Sequence, residues 1–187
     1  PLWYRWLKRA WMHYGNNPDL AGISLQRQVL IPDVNTRSRE IVNENKPFLY
    51  ALVGSIGFSP NWWVWQKFLS WVKEIDLENV NVDTLDLITL GWFNSMSRRN
   101  MWTQYFIYFC RQYHLYTLYV NLPNGKTLAA NHREKGVHAD RTHGKDFPLA
   151  RKFHNEFPQK LRKYGWKGEL ISICKTVTIV QPFDLNQ

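Results

Sequence analysis

Aromatic side chains constrain this chain more than any other feature. Its 187 residues include ten Trp, nine Tyr and ten Phe. Each such ring takes about 150–250 Å² out of water when buried. A chain of this length makes one domain, or one domain with an arm, and can bury a substantial core. So many rings still exceed what one such core hides, and some are expected at an interface with protein, lipid or nucleic-acid bases. Hydrophobic residues at 44% and charged residues at 21% exclude general disorder.

The rings fall into patterned segments. Trp3, Trp6, Leu7, Ala10, Trp11 and Tyr14 recur at helical spacing, with Arg5, Lys8, Arg9 and His13 on the other side. Gly15, Asn16, Asn17 and Pro18 stop the pattern. A basic helix with a Trp stripe is the kind that lies in a membrane interface or docks on a partner. Trp3, Trp6, Trp11, Arg5, Lys8 and Arg9 are therefore the expected membrane- or partner-docking residues; packing on the chain's own core is the plainer alternative. Residues 16–47 carry Pro18, Pro32 and Pro47 and read as an extended connector, with Gln28, Val29, Leu30 and Ile31 as a short strand candidate. Residues 1–47 are thus expected to be arm and connector, and residues 48–187 a single domain.

Within that domain residues 59–114 read as helical. Ser59 before Pro60 marks a helix start over residues 59–74, with Trp65, Phe68, Leu69 and Val72 on one face and Trp62, Trp63 and Trp71 on its flanks. Asp83 is expected to cap a second helix and Ser97 a third, which puts Trp102, Tyr105, Phe106 and Phe109 inward. Residues 115–187 are mixed. Tyr116, Leu118 and Val120 alternate with Thr117, Tyr119 and Asn121, as in a half-buried strand. Asn124-Gly125 predicts a tight hairpin turn into a second strand over residues 127–131. Residues 148–163 read as a helix interrupted at Pro158, and residues 170–180 as a strand. The expected class is α+β: an aromatic-rich helical N-terminal half, then a small antiparallel β-hairpin and α/β unit.

Charge is divided unequally. Residues 1–95 hold nine basic and nine acidic side chains, whereas residues 96–187 hold fifteen and six and so carry the whole +9. That asymmetry points to an anionic partner for one part of the molecule. The excess centres on residues 132–146, which interleave Arg133, Lys135, Arg141 and Lys145 with His138 and His143, and continues into Arg151 and Lys152. These eight form the expected anion- or partner-binding surface, for acidic protein, anionic phospholipid or RNA phosphate. Two sharper readings compete. His138 and Asp140 resemble part of a two-His, one-carboxylate metal triad, with His143 or His154 as the third ligand, but the surrounding cations repel a metal and the spacing matches no ligand pattern. His132, His138, His143 and Lys145 would supply acid, base and charge stabilisation for phosphodiester cleavage. No nucleophile signature or nucleotide-binding Gly loop accompanies them. No catalytic residue, metal, cofactor or small-molecule substrate is therefore assigned.

Cys110 and Cys174 read as free thiols in an intracellular, reducing compartment. The most apolar stretch, residues 48–72, is broken by Gly54, Gly57 and Pro60 and charged by Lys67, so no transmembrane helix is expected, and the first residues lack the apolar run of a signal peptide. The reading that absorbs most of these features is a non-catalytic accessory subunit of a large organellar, membrane-associated assembly. The expected setting is mitochondrial, on the matrix side or at the inner-membrane surface, with other protein subunits and anionic phospholipid as partners. The alternatives are an RNA-binding organellar ribosomal-type protein and a small His-dependent phosphodiesterase or metal-dependent enzyme.

Overall fold

The structure, a computed structural model, describes residues 1–32, 40–82, 101–130, 147–152 and 157–175. Helix α1 (Leu2–Tyr14) leads into β1 (Leu20–Ser24). Strands β2 (Pro47–Tyr50) and β3 (Phe58–Pro60) precede helix α2 (Trp62–Glu74). Helix α3 (Trp102–Gln112) is followed by β4 (Tyr116–Val120), and β5 (Lys160–Tyr164) pairs with β6 (Leu170–Lys175). The strands make one mixed sheet of order β3-β1-β4-β2-β5-β6. Strand β1 runs parallel to β4, and β2 parallel to β5; the other neighbours are antiparallel. The class is α+β.

Two unlike layers cover the sheet. On one face α1 buries Trp6, Ala10 and Tyr14 against Ile23, Leu49, Leu118, Val120 and Leu161. On the other, α2 and α3 bring Val64, Phe68, Phe106 and Phe109 against Phe48, Tyr50, Tyr119 and Tyr164. Strand alternation sends successive side chains to opposite faces, so Leu118 and Tyr119 belong to different cores. Strand β4 is accordingly buried on both faces, where a half-buried strand was expected. Polar Thr117 and Asn121 are buried too; the Asn121 side-chain oxygen accepts from the Gln28 amide at 2.9 Å.

The N-terminal segment departs furthest from expectation. Its helix is not a detached arm: Trp6 is 2% exposed, and the Tyr14 hydroxyl donates to the Pro158 carbonyl at 3.0 Å. The sheet needs a lid on its second face, and the Trp stripe of α1 supplies it. The connector expected over residues 16–47 contributes β1, which lies between β3 and β4 and is buried along its whole length. Gly22 makes this possible, because a Cβ there would come within 2.5 Å of the Phe58 ring and 2.7 Å of the Ser59 carbonyl. Gln28 and Leu30 lie outside the strands and are tied down by the Gln28 side chain, which donates to the Leu30 carbonyl at 2.9 Å. Arg27 then staples this region to the chain after β4. It reaches both Glu40 carboxylate oxygens at 2.9 and 2.6 Å and donates to the Leu122 carbonyl at 2.7 Å.

Other expectations shift as well. Ser59-Pro60 belongs to edge strand β3 rather than to a helix start, and Asn61 caps α2 instead, accepting from the Trp63 amide at 3.0 Å. Pro60 fits there because an edge strand need not donate at every residue. Asn124 and Gly125 do adopt positive φ, 57° and 68°, but among the described residues the turn joins no hairpin. Instead the chain beyond it forms isolated parallel bridges, Gln26 to Ala129 and Thr127 to Leu149. Among the described residues of the second half, the antiparallel hairpin is β5–β6. Strand β5 also replaces the end of the helix expected over residues 148–163. The helix expected after Asp83, the start of the one capped by Ser97, and the strand beyond Lys175 lie outside the described residues.

Candidate functional site

Among the described residues, the most exposed large aromatics sit where α2 leaves the sheet edge. Pairing of β3 with β1 fixes that corner, and the Asn61 amide donates to the Ala21 carbonyl at 2.9 Å. Val64 and Phe68 face inward from the next turns, so the preceding pair, 100° apart on the helix, cannot both follow them. Trp62 is 65% exposed and Trp63 74%. Beside them Trp65 is locked among rings: 5.3 Å from Phe68, 5.3 Å from Phe106 and 5.5 Å, edge-on, from Trp102, measured between centroids. Trp102, expected inward, stays 42% exposed at the start of α3.

Between these elements lies an open hollow of about 300 Å³ lined by Ser55, Phe58, Pro60, Trp65 and Trp102. Its walls are aromatic and apolar, with the Ser55 hydroxyl as the polar exception. Indoles at the rim add N–H donors to broad apolar surface, a combination suited to docking. Among the described residues, nothing in this lining offers an acid, a base or a metal ligand.

Those of the expected docking and anion-binding residues that are described meet different fates. Trp6 is spent inside the fold, and the Trp11 indole N–H donates to the Ser59 hydroxyl at 3.0 Å. The Arg9 guanidinium stands 5.5 Å from the centre of the Phe157 ring. Trp3, Arg5 and Lys8 remain exposed. Arg151 and Lys152 are exposed too, while Arg133, Lys135, His138, Arg141, His143 and Lys145 lie outside the described residues. Reading Trp6 and Trp11 as outward docking residues is thus corrected, because the sheet claims them.

The ionisable groups that the structure perturbs are mostly structural. Burial raises the Cys110 thiol and the Tyr14, Tyr50 and Tyr119 phenols above their usual values, which leaves them protonated and unreactive. The Tyr119 hydroxyl donates to the Leu52 carbonyl at 2.8 Å. Burial opposes charge on Lys163, but the hydrogen bond and charge of Asp19 outweigh it and hold the ammonium above its ordinary value. Lys46 and Arg162 lower the Glu44 carboxyl by hydrogen bonding and charge. Glu44 and Asn45 both have positive φ, 52° and 58°, in a turn closed by Lys46 N–H to the Asn43 carbonyl at 2.9 Å, and Arg162 holds Glu44 at 3.0 Å.

Known protein families, curated proteins and solved structures offer no match to this chain.

The molecule's own surfaces are then what bears on its function. Of these the corner of Trp62, Trp63 and Trp102 is the one that sequence reading placed incompletely. The surplus of rings signals an interface, but helical spacing places the pair Trp62-Trp63 only on a helix flank. Adjacent Trp residues at the start of a helix were the available signal. No helix among the described residues is long and apolar enough to cross a membrane.

Proposed function

We propose that this chain is a non-catalytic subunit of a larger organellar assembly, mitochondrial in the setting that the sequence reading favours. It works by docking the aromatic corner of α2 and α3 onto a neighbouring protein. The observation that carries this reading is the pair of indoles, Trp62 and Trp63, exposed by more than half at the start of the helix from which Trp65 lines an apolar hollow. Interfaces concentrate binding energy in a few Trp, Tyr and Arg side chains that become desolvated in the complex. A rigid aromatic base suits that role, because Trp65 is held by its neighbours before any partner arrives.

The test is to isolate the tagged chain from its source without denaturation and identify its stoichiometric partner, then repeat with Trp62→Ala and Trp63→Ala together. Truncating a central aromatic costs an interface about 2 kcal/mol or more, roughly thirtyfold in affinity per residue. The partner should be lost while the melting temperature of the isolated chain holds, since both rings already face water. A chain that travels alone, or a partner retained by the double variant, refutes the reading. Fluorescent tagging of the intact chain tests the compartment separately.

A further inference from the structure

Helix α1 has a second face, and its composition is not that of an ordinary solvated helix. The inward stripe is complete in Trp6, Ala10 and Tyr14. On the opposite side Tyr4, Lys8 and Met12 recur every four residues and so form one row, with Arg5 alongside. Tyr4 is 53% exposed and Met12 61%. At the N-terminal end of the helix Trp3 is also exposed and meets Tyr4 edge-on, with centroids 5.9 Å apart. The helix carries Arg5, Lys8 and Arg9 and no acidic residue; the first in the chain is Asp19, which is engaged by Lys163. Among the described residues neither Arg5 nor Lys8 has an acidic partner.

We propose that this outer face of α1 docks on the surface of an anionic lipid bilayer. The inference is independent of the docking reading above, because different residues on a different layer carry it. Charge complementarity selects the occupant. A ridge of cations without counter-charges gains from lipid phosphates, at about 1 kcal/mol for each Lys or Arg near the surface. The interleaved apolar groups select lipid over nucleic acid. Tyr, Trp and Met at the height of the cations can enter the headgroup boundary while Lys and Arg reach the phosphates, and a methionine gains nothing on a phosphate backbone. Exposed Arg151 and Lys152 follow Ala150, which packs in the same core as α1, so they add positive charge to this side of the molecule. Because the inward stripe of α1 stays on the sheet, this contact is peripheral and requires no unfolding.

The test is sedimentation of the full chain with phosphatidylcholine vesicles, with and without phosphatidylglycerol. Binding should require phosphatidylglycerol and weaken as salt rises. Arg5→Gln with Lys8→Gln should lower partitioning about twenty-fivefold, roughly fivefold per charge removed. Tyr4→Ser with Met12→Ser should weaken binding while retaining its salt dependence. Circular dichroism and thermal melting of each variant establish that it is folded, and the Trp62→Ala, Trp63→Ala chain should bind vesicles like the parent. Absence of binding to anionic vesicles overturns the proposal, as does unchanged binding by the Arg5, Lys8 variant. Loss of vesicle binding in the Trp62, Trp63 variant transfers the contact to α2 and also overturns it. So does RNA binding through Arg5 and Lys8 without vesicle binding, which assigns the face to nucleic acid.

Discussion

Trp6→Ala is the perturbation that bears most directly on the architecture. Trp6 is 2% exposed, and its ring lies 6.1 Å from that of Phe157, in a core shared with Ile23, Leu49 and Leu118. Removing a buried indole forfeits about 200 Å² of burial, which at about 25 cal/mol per Å² is roughly 5 kcal/mol as an upper value. Measured Trp-to-Ala losses in cores run at about 3–5 kcal/mol, since neighbours collapse only partly into the space. Against a total of about 5–15 kcal/mol, a loss of that size moves the whole chain towards unfolding rather than freeing one helix. Urea denaturation followed by far-UV circular dichroism measures it, with Met12→Ala on the exposed side of the same helix as the control, expected within about 0.5 kcal/mol. Deleting residues 1–15 should do more, because it uncovers an entire apolar sheet face. A loss below about 1 kcal/mol in Trp6→Ala would refute the account of α1 as the second lid of the sheet. Cooperative, parent-like unfolding of the truncated chain would refute it as well.

Two further outcomes follow from local geometry and burial. His114 sits at φ 53° just past α3, where its amide meets the Arg111 carbonyl at 3.4 Å and the Leu115 amide meets the Cys110 carbonyl at 2.8 Å, an arrangement that favours glycine; His114→Gly should raise stability by about 0.5–1 kcal/mol in denaturant titrations. Burial raises Tyr14, Tyr50, Tyr119 and Cys110 in the folded chain, so the unfolded chain gives up those protons first, and the stability they support is complete below the unfolded values and lost as pH rises past them. Denaturant midpoints should decline from about pH 8.5, where the free thiol ionises, and more steeply above about pH 10, by about 1.4 kcal/mol per pH unit for each group ionised only in the unfolded chain; a flat profile to about pH 11 would contradict the burial of these groups.

What the sequence made legible was local. Periodicity placed α2 and α3 and their inward Phe68, Phe106 and Phe109, and alternation placed β4. Asn124-Gly125 announced its positive φ through residue chemistry alone. What escaped was set by partners distant in the chain. Leu20–Ser24 is short and contains a glycine, and it reads as a strand only once parallel β4 is beside it. Lys160–Tyr164 carries three basic residues and resembles a solvated helix end, yet Lys163 pairs with Asp19 and Arg162 with Glu44, partners more than a hundred residues away in the chain. The stripe of α1 announced a partner, and topology decided that this partner is the chain's own sheet. The candidate site was half legible: an excess of rings foretold exposed aromatics, but only packing shows which of them the core leaves out.

The two proposed contacts face away from each other because a single sheet separates their layers. Trp62, Trp63 and Trp102 belong to the layer of α2 and α3, whose rings interlock from Trp65 through Phe68 and Phe106 to Phe109. Tyr4, Arg5, Lys8 and Met12 belong to α1, on the far side of β1 and β4. A side chain on β4 serves one layer or the other, as Leu118 and Tyr119 do, so the two cores share backbone but few rings. Residues without shared neighbours contribute additively. Protein docking and lipid docking should then be separable by mutation even though they reside on one small chain. If both proposals hold, the molecule is a bracket: the sheet supplies rigidity, one layer would meet the assembly, and the other would meet the membrane surface. It also explains how the chain accommodates its many rings, since two aromatic layers on one sheet offer two cores and two outer faces where a single layer would offer one of each.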